Sequence, residues 1–228
     1  MRLRWVQTYH RRVGTIQLMG LSRSTWLFDL DGTLIDSEEL ILDSFRFATR
    51  TVLGAQVDDE ELRRGIGQPL IAQMRTIEPA RADELFDVYV AHNRERTADL
   101  LRSYPGVPEM LERLRGAGRR LGVVTSKMRP SQELAFRTLG IDDTFEVIVT
   151  VEDTTLHKPH PQPILHALEL LGEDAGAAVY VGDSPFDIRA ARAAGVLSAA
   201  ATWGIFSREE LEAEEPDVFY ASPHEVAA

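Results

Sequence analysis

The sequence predicts an α/β protein, a doubly wound parallel sheet with an all-helical insert early in the chain. Three patterns predict it. From about residue 120 onward, short β-rich runs alternate with helical runs, as in a parallel sheet covered on both faces. Acids and hydroxyls follow the ends of those runs, where ligands sit in such a sheet. Between about 38 and 103 the apolar spacing instead stays helical, with breaks at Gly54, Gly65, Gly67, Pro69 and Pro79.

Taken in order, residues 24–30 read as a short buried strand whose apolar run ends at Asp29. From Ser37 the pattern turns amphipathic through Leu40, Ile41, Phe45, Ala48 and Leu53. Glu38 and Glu39 in the first turn favour the helix dipole. The insert has room for about four helices. Residues 104–106 form a turn, and Pro108 suits the first turn of a helix that ends near 116–118. Strands follow at 120–125, 145–149, 177–182 and 196–202, with a last short one at 217–220. The helices between them, 130–139, 161–171 and 185–194, each stop at a glycine: Gly140, Gly172 and Gly195. Ser207 and Glu210 fit a capping box before a brief helix. The expected division is an α/β core of 23–37 and 104–228, a helical cap of 38–103, and an arginine-rich extension of 1–22 outside the fold.

The 228 residues carry a formal net charge of −11, which argues against general nucleic-acid binding. A small anionic substrate remains compatible, because helix N-termini and a few local cations hold a phosphate. The absence of cysteine excludes disulfides, zinc thiolates and cysteine nucleophiles. No apolar run approaches the ~20 residues that span a bilayer. The start of the chain lacks the apolar stretch of a secretory signal, so the expected location is cytoplasmic, with no membrane partner. An organelle transit segment, or a true start at Met19, also fits this beginning. Of the 25 basic residues only Lys127 and Lys158 are lysines. Where arginine serves nearly every other position, those two mark places where a compact ammonium matters.

Each strand end has two readings. Asp29 and Asp31 around Gly32 suit a nucleophile and a proton donor for phosphoryl transfer, or an Asx-type turn. Thr125, Ser126 and Lys127 make a phosphate cradle or an ordinary polar strand end. Lys158, in a proline-bounded loop, suits neutralisation of a phosphoryl group. Asp183 and Asp187 suit a hard cation, or Asp183 is a helix cap before Pro185.

Acid pair, hydroxyl, lysine and acid pair occur in that order: DLDGTL at 29–34, VVTSK at 123–127, HKPHP at 157–161 and VGDSPFD at 181–187. On these four segments the chain resembles the haloacid dehalogenase superfamily, with a Rossmann-like core and a C1 cap. The resemblance implies that Asp29 attacks phosphorus and that Asp31 protonates the leaving oxygen, then activates water. It implies Mg²⁺ held by Asp29, the main-chain carbonyl of Asp31, and Asp183, with Asp187 beside it. Thr125 and Lys158 then hold the phosphoryl oxygens.

Asp31 argues against the dehalogenase branch, and an insert without lysine argues against a phosphonatase. The expected activity is a phosphohydrolase. The alternatives are a phosphomutase of the same fold and a non-catalytic phosphate-binding relative. Segments 89–95, 122–129, 149–153 and 158–163 look most like the phosphoglycolate phosphatase and pyrophosphatase group, the pyrophosphatase branch above all. Gly67 and Gln68 occupy the place of the family's cap specificity loop and are candidate substrate contacts with Thr125, Ser126 and Lys158. Arg63, Arg64, Arg94 and Arg96 are candidates to reach a second phosphate or carboxylate, and Lys127 is a lesser candidate for a substrate contact. His157 and His160 read as loop residues, and the assembly as monomer or homodimer.

Overall fold

The computed structural model describes residues 23–226. The expected extension, 1–22, lies outside the described residues. Strand β1 (Thr25–Phe28) is wholly buried, and it pairs in parallel with two later strands, β4 (Arg120–Val124) and β6 (Ala178–Gly182). With β5 (Val147–Val149), β7 (Leu197–Ala201) and β8 (Val218–Tyr220) they form one six-stranded parallel sheet, ordered β5-β4-β1-β6-β7-β8. The α/β architecture expected from the sequence is the one observed. The chain leaves β1 toward β4 on one side and returns to β6 on the other. The carboxyl ends of these three strands therefore flank the switch point, where a crevice opens.

Successive side chains on a strand point to opposite faces. Trp26 and Phe28 pack into a core with Met110, Leu111, Phe136 and Val226. Leu27 points the other way, toward Ile164, Leu168 and Ala190. Helices α5 (Val107–Gly116) and α6 (Arg129–Leu139) supply the first face, and α7 (Gln162–Leu171) and α8 (Pro185–Ala194) the second. Each of α6, α7 and α8 stops at the glycine expected from the sequence, in the left-handed conformation. Ser207 and Glu210 form the expected capping box at α9 (Arg208–Glu212).

Between β1 and β4 the chain forms a two-residue antiparallel ribbon, β2 (Ile35–Asp36) with β3 (Arg102–Ser103). The ribbon brackets four helices, α1 (Glu38–Leu53), α2 (Asp59–Arg63), α3 (Leu70–Ile77) and α4 (Ala82–Leu100). The helical pattern was expected to run to 103, but it stops at Leu100. Leu101 is extended and buried, and Tyr104 precedes Pro105, a position biased away from the helical region. Helices α1 and α4 pack tightly, with Phe45 edge-on to Tyr89 at 4.8 Å between ring centroids. The same apolar cluster includes Ile66 and Met74 and extends onto Ile188, Ile205 and Phe206. The helical segment is therefore seated on the sheet's carboxyl edge by apolar contact. No helix among the described residues is long and apolar enough to cross a membrane.

Candidate active site

Asp29 follows β1 directly, and its backbone N–H donates to the carbonyl of Val181 (2.9 Å), so the chain stays tied to the sheet at this residue. Gly32 then turns the chain at φ 82°. A Cβ at Gly32 would lie 2.2 Å from Asp183 Oδ2, and one at Gly182 would lie 2.3 Å from the Cβ of Asp187. These glycines are required by the close approach of backbone to carboxylate, not by the turn alone.

Asp29, Asp183 and Asp187 each present a carboxylate oxygen, and the three oxygens lie within 4.8 Å of one another. All three residues are buried. Lys158 stands between two of them, with Nζ 2.8 Å from Asp29 Oδ1 and 2.7 Å from Asp187 Oδ1. Three carboxylates against one ammonium leave an excess of buried negative charge. Burial, then the charge of Asp187, push Asp29 up to about 7 from the ordinary carboxylate value, against the pull of Lys158. Burial, Asp187 and Asp29 together hold Asp183 well above its ordinary value. Burial alone would lower Lys158, but Asp187 and Asp29 outweigh it and hold the ammonium firmly charged.

The three acids are not equivalent. Asp187 accepts from Lys158 on one oxygen, and from the Ser184 N–H (3.0 Å) and hydroxyl (2.5 Å) on the other, closing a capping box at α8. Its acceptor capacity goes to holding Lys158 and the helix start. Asp183 accepts Thr33 Oγ1 on Oδ1 and the Ile205 N–H on Oδ2, both at 2.9 Å, which leaves each oxygen with a further lone pair. Asp29 Oδ1 is buried without an aligned hydrogen bond, although the Lys158 ammonium is close. A buried cluster of three carboxylates around a single ammonium, with lone pairs left on Asp183, fits a hard divalent cation.

Thr125 is buried at the end of β4, with its N–H donating to Val149 (2.9 Å) and its hydroxyl accepting the Lys127 N–H (3.1 Å). Ser126 Oγ donates to the Gly67 carbonyl at 2.7 Å, tying the loop between α2 and α3 to the sheet edge. Gly67 has φ 98°, and a Cβ there would lie 3.0 Å from Ser184 Oγ. Asp31 turns away from the acid cluster, accepting from Ser37 Oγ (2.7 Å) and Lys127 Nζ (2.8 and 3.1 Å). Asp29, Asp31, Thr125, Ser126, Gly67 and Gln68 all line one cavity of about 70 Å³, room for a handful of waters or a small anion. Lys158, Asp183 and Asp187 lie behind this wall.

The arginines singled out from the sequence are not brought to that cavity. Arg63 pairs with Glu38, Arg64 with Glu60, and Arg96 with Asp43 and Asp99, while Arg94 is exposed and does not line it. His157 and His160 close a turn through backbone bonds, and His160 Nδ1 accepts the Gln162 N–H, so both are loop residues. Sequence reasoning missed Tyr180. Its hydroxyl donates to the Val124 carbonyl (2.9 Å) and accepts from Lys158 (3.3 Å), which fixes the ammonium from the sheet side. A tyrosine among Ala and Val in a fully buried strand was the available signal, because its hydroxyl must find a partner. Trp203 was missed too; its indole N–H donates to the Thr33 carbonyl (3.0 Å), steadying the turn that carries Thr33 to Asp183.

The family model of haloacid dehalogenase-like hydrolases matches residues 26–201, so the chain belongs to that family of hydrolytic enzymes. Pyrophosphatase PpaX of Bacillus velezensis is 38% identical over 191 residues, 84% of this chain and 88% of the relative. Pyrophosphatase PpaX of Bacillus cereus is 37% identical over 194 residues, 85% of this chain and 90% of the relative. The crystal structure of a predicted phosphoglycolate phosphatase from Haemophilus somnus superposes with a TM-score of 0.82 at 26% identity, over 90% of this chain and 96% of that one. The family expected from the four motifs is borne out.

Proposed function

We propose that this hydrolase is a Mg²⁺-dependent phosphatase that works through a phosphoaspartyl intermediate on Asp29. One observation carries the reading: Asp29 is buried at the sheet's switch point against Lys158, at the wall of a small cavity it shares with Asp31 and Thr125. A carboxylate oxygen of Asp29 forms a bond to phosphorus as the bond from phosphorus to the leaving oxygen breaks, and Asp31 delivers its proton to that oxygen. Water then attacks the acyl phosphate with Asp31 taking its proton, which releases phosphate and restores Asp29. Thr125 holds the phosphoryl group through its hydroxyl. Lys158, fixed by Asp187 and Tyr180, balances charge beside Asp29. The groups that would hold Mg²⁺ are Asp29, Asp183 and the main-chain carbonyl of Asp31, with Asp187 behind them; when bound, the ion supplies charge neutralisation at the phosphoryl oxygens.

The substrates favoured are pyrophosphate and 2-phosphoglycolate. Supporting this are the names of the relatives, the small cavity and the contact of Gly67 with Ser126. The proposed division is a core of 23–37 and 104–228 with a cap of 38–103 whose motion gates access, in a cytoplasmic monomer or homodimer. The test is phosphate release with Mg²⁺ from pyrophosphate, 2-phosphoglycolate, hexose phosphates, nucleoside monophosphates and an aryl phosphate. Preferred turnover of the first two, abolished by EDTA, is the expected result. Isomerisation of a hexose phosphate without phosphate release would point to a mutase. No turnover of any of them would point to a binding relative.

A further inference from the structure

Of the chain's two lysines, Lys158 rests on Asp29 and Lys127 on Asp31, and only Lys158 has a place in the proposed chemistry so far. Lys127 is nearly buried, at 11% side-chain exposure, and its ammonium is shared between both oxygens of Asp31. Asp31 is where the proposed leaving oxygen must arrive, within about 3 Å, to receive its proton. The rest of the leaving group must then lie next to Lys127 Nζ. The facing wall supplies no competing charge: it consists of Ile41, Phe45, Ile66, Leu70 and Val90 with uncharged polar groups between them. Among the described residues lining the cavity, Lys127 is the one cation.

We propose, resting on the phosphatase reading, that Lys127 is the specificity-determining residue of the leaving-group subsite and selects substrates whose leaving group carries its own negative charge, such as a phosphate or a carboxylate. An anionic leaving group replaces the Asp31 carboxylate as partner of the ammonium, so Lys127 moves by no more than the reach of its side chain. Asp31 is left facing the leaving oxygen without a competing donor. A neutral leaving group offers no replacement, and Lys127 stays on Asp31. The apolar helical wall makes this selection sharper, because a charge in such surroundings has no second counter-charge to turn to.

The experiment compares kcat/KM for pyrophosphate and 2-phosphoglycolate with that for an aryl phosphate, whose leaving group is neutral once protonated. It is run with Mg²⁺ in the full-length wild-type protein, Lys127→Met and Lys127→Gln, with thermal melting to establish that each variant is folded. Loss of a charge-assisted contact is expected to cost the anionic-leaving-group substrates tenfold to about a hundredfold in both variants. The aryl phosphate is expected to fall by a clearly smaller factor. Equal losses for all three substrates would mean that Lys127 acts only through Asp31 and would overturn the proposal. So would a Lys127→Gln enzyme that kept the preference, since charge would then not be the discriminator. A wild-type protein with no turnover of any phosphate would sink the phosphatase reading itself, a result distinct from both.

Discussion

The two walls of the cavity are built on opposite plans. The sheet-side wall is polar: Asp29, Asp31 and Thr125 line it, Lys158, Asp183 and Asp187 back it with assigned partners, and glycines press the backbone against the carboxylates. The helical wall is apolar, with Ile41, Phe45, Ile66 and Leu70 filling space, and it meets the sheet side through apolar contact and a hydrogen bond from Ser126 to Gly67. The difference separates two tasks. Chemistry needs groups held to fractions of an ångström by supporting shells, whereas selection among small substrates needs a surface that can change without disturbing them.

Substitutions on the two walls should therefore fail in different ways. The largest effect is expected from Asp29→Asn, which should bring phosphate release below detection and leave the melting temperature unchanged or raised, because it removes a crowded buried charge. Near-wild-type turnover in that variant would place the nucleophile elsewhere. Asp31→Asn should slow turnover by ~10²–10⁴, the usual contribution of one general acid–base group, and steady-state kinetics would measure it.

A smaller effect concerns the acid cluster as a cation site. The folded protein holds the Asp29 proton up to about 7, against 3.8 for the free side chain, so the folded state binds that proton more tightly than the unfolded chain. The group's contribution to stability is full below pH 3.8 and is lost as pH rises through about 7. A cation that takes the proton's place should thus stabilise the fold more as pH rises. Thermal melts with and without Mg²⁺ should show a gain in melting temperature that grows from about pH 5 to about pH 8. A gain that shrinks over that range would remove Asp29 from the cation site.

The smallest effect belongs to the helical wall. Gly67→Ala places a Cβ 3.0 Å from Ser184 Oγ at a φ of 98°, a strain of about 1 kcal/mol or more. It should raise KM several-fold and leave kcat nearly unchanged. An equal fall in kcat would show that this loop also organises the chemistry.

The sheet and the acids at its strand ends were legible in the sequence because both follow from local rules. Strand runs bounded by glycine-stopped helices specify a parallel sheet, and such a sheet has its crevice at one edge. Asp29, Thr125 and Asp183 were found because they stand where a strand stops. Long-range partners were not legible. Tyr180 is one residue in a buried run, and nothing local says that its hydroxyl meets Val124 and Lys158. Arg63, Arg64 and Arg96 carry charge, but sequence spacing does not give its direction, and nearby carboxylates on the same helical segment or just before it claimed them. Likewise the sequence marked Lys127 as unusual without showing that it would rest on Asp31.

The ribbon formed by Ile35 and Asp36 with Arg102 and Ser103 has a consequence for ancestry. The helical segment leaves and rejoins the sheet-bearing part at directly paired residues, so its two ends meet in space whatever lies between them. A stretch of DNA encoding a different segment could be spliced in at the same two points, and the strands around Asp29 would close as before. The ribbon is thus a junction at which the helical segment could be exchanged while the strands around Asp29 keep their pairing.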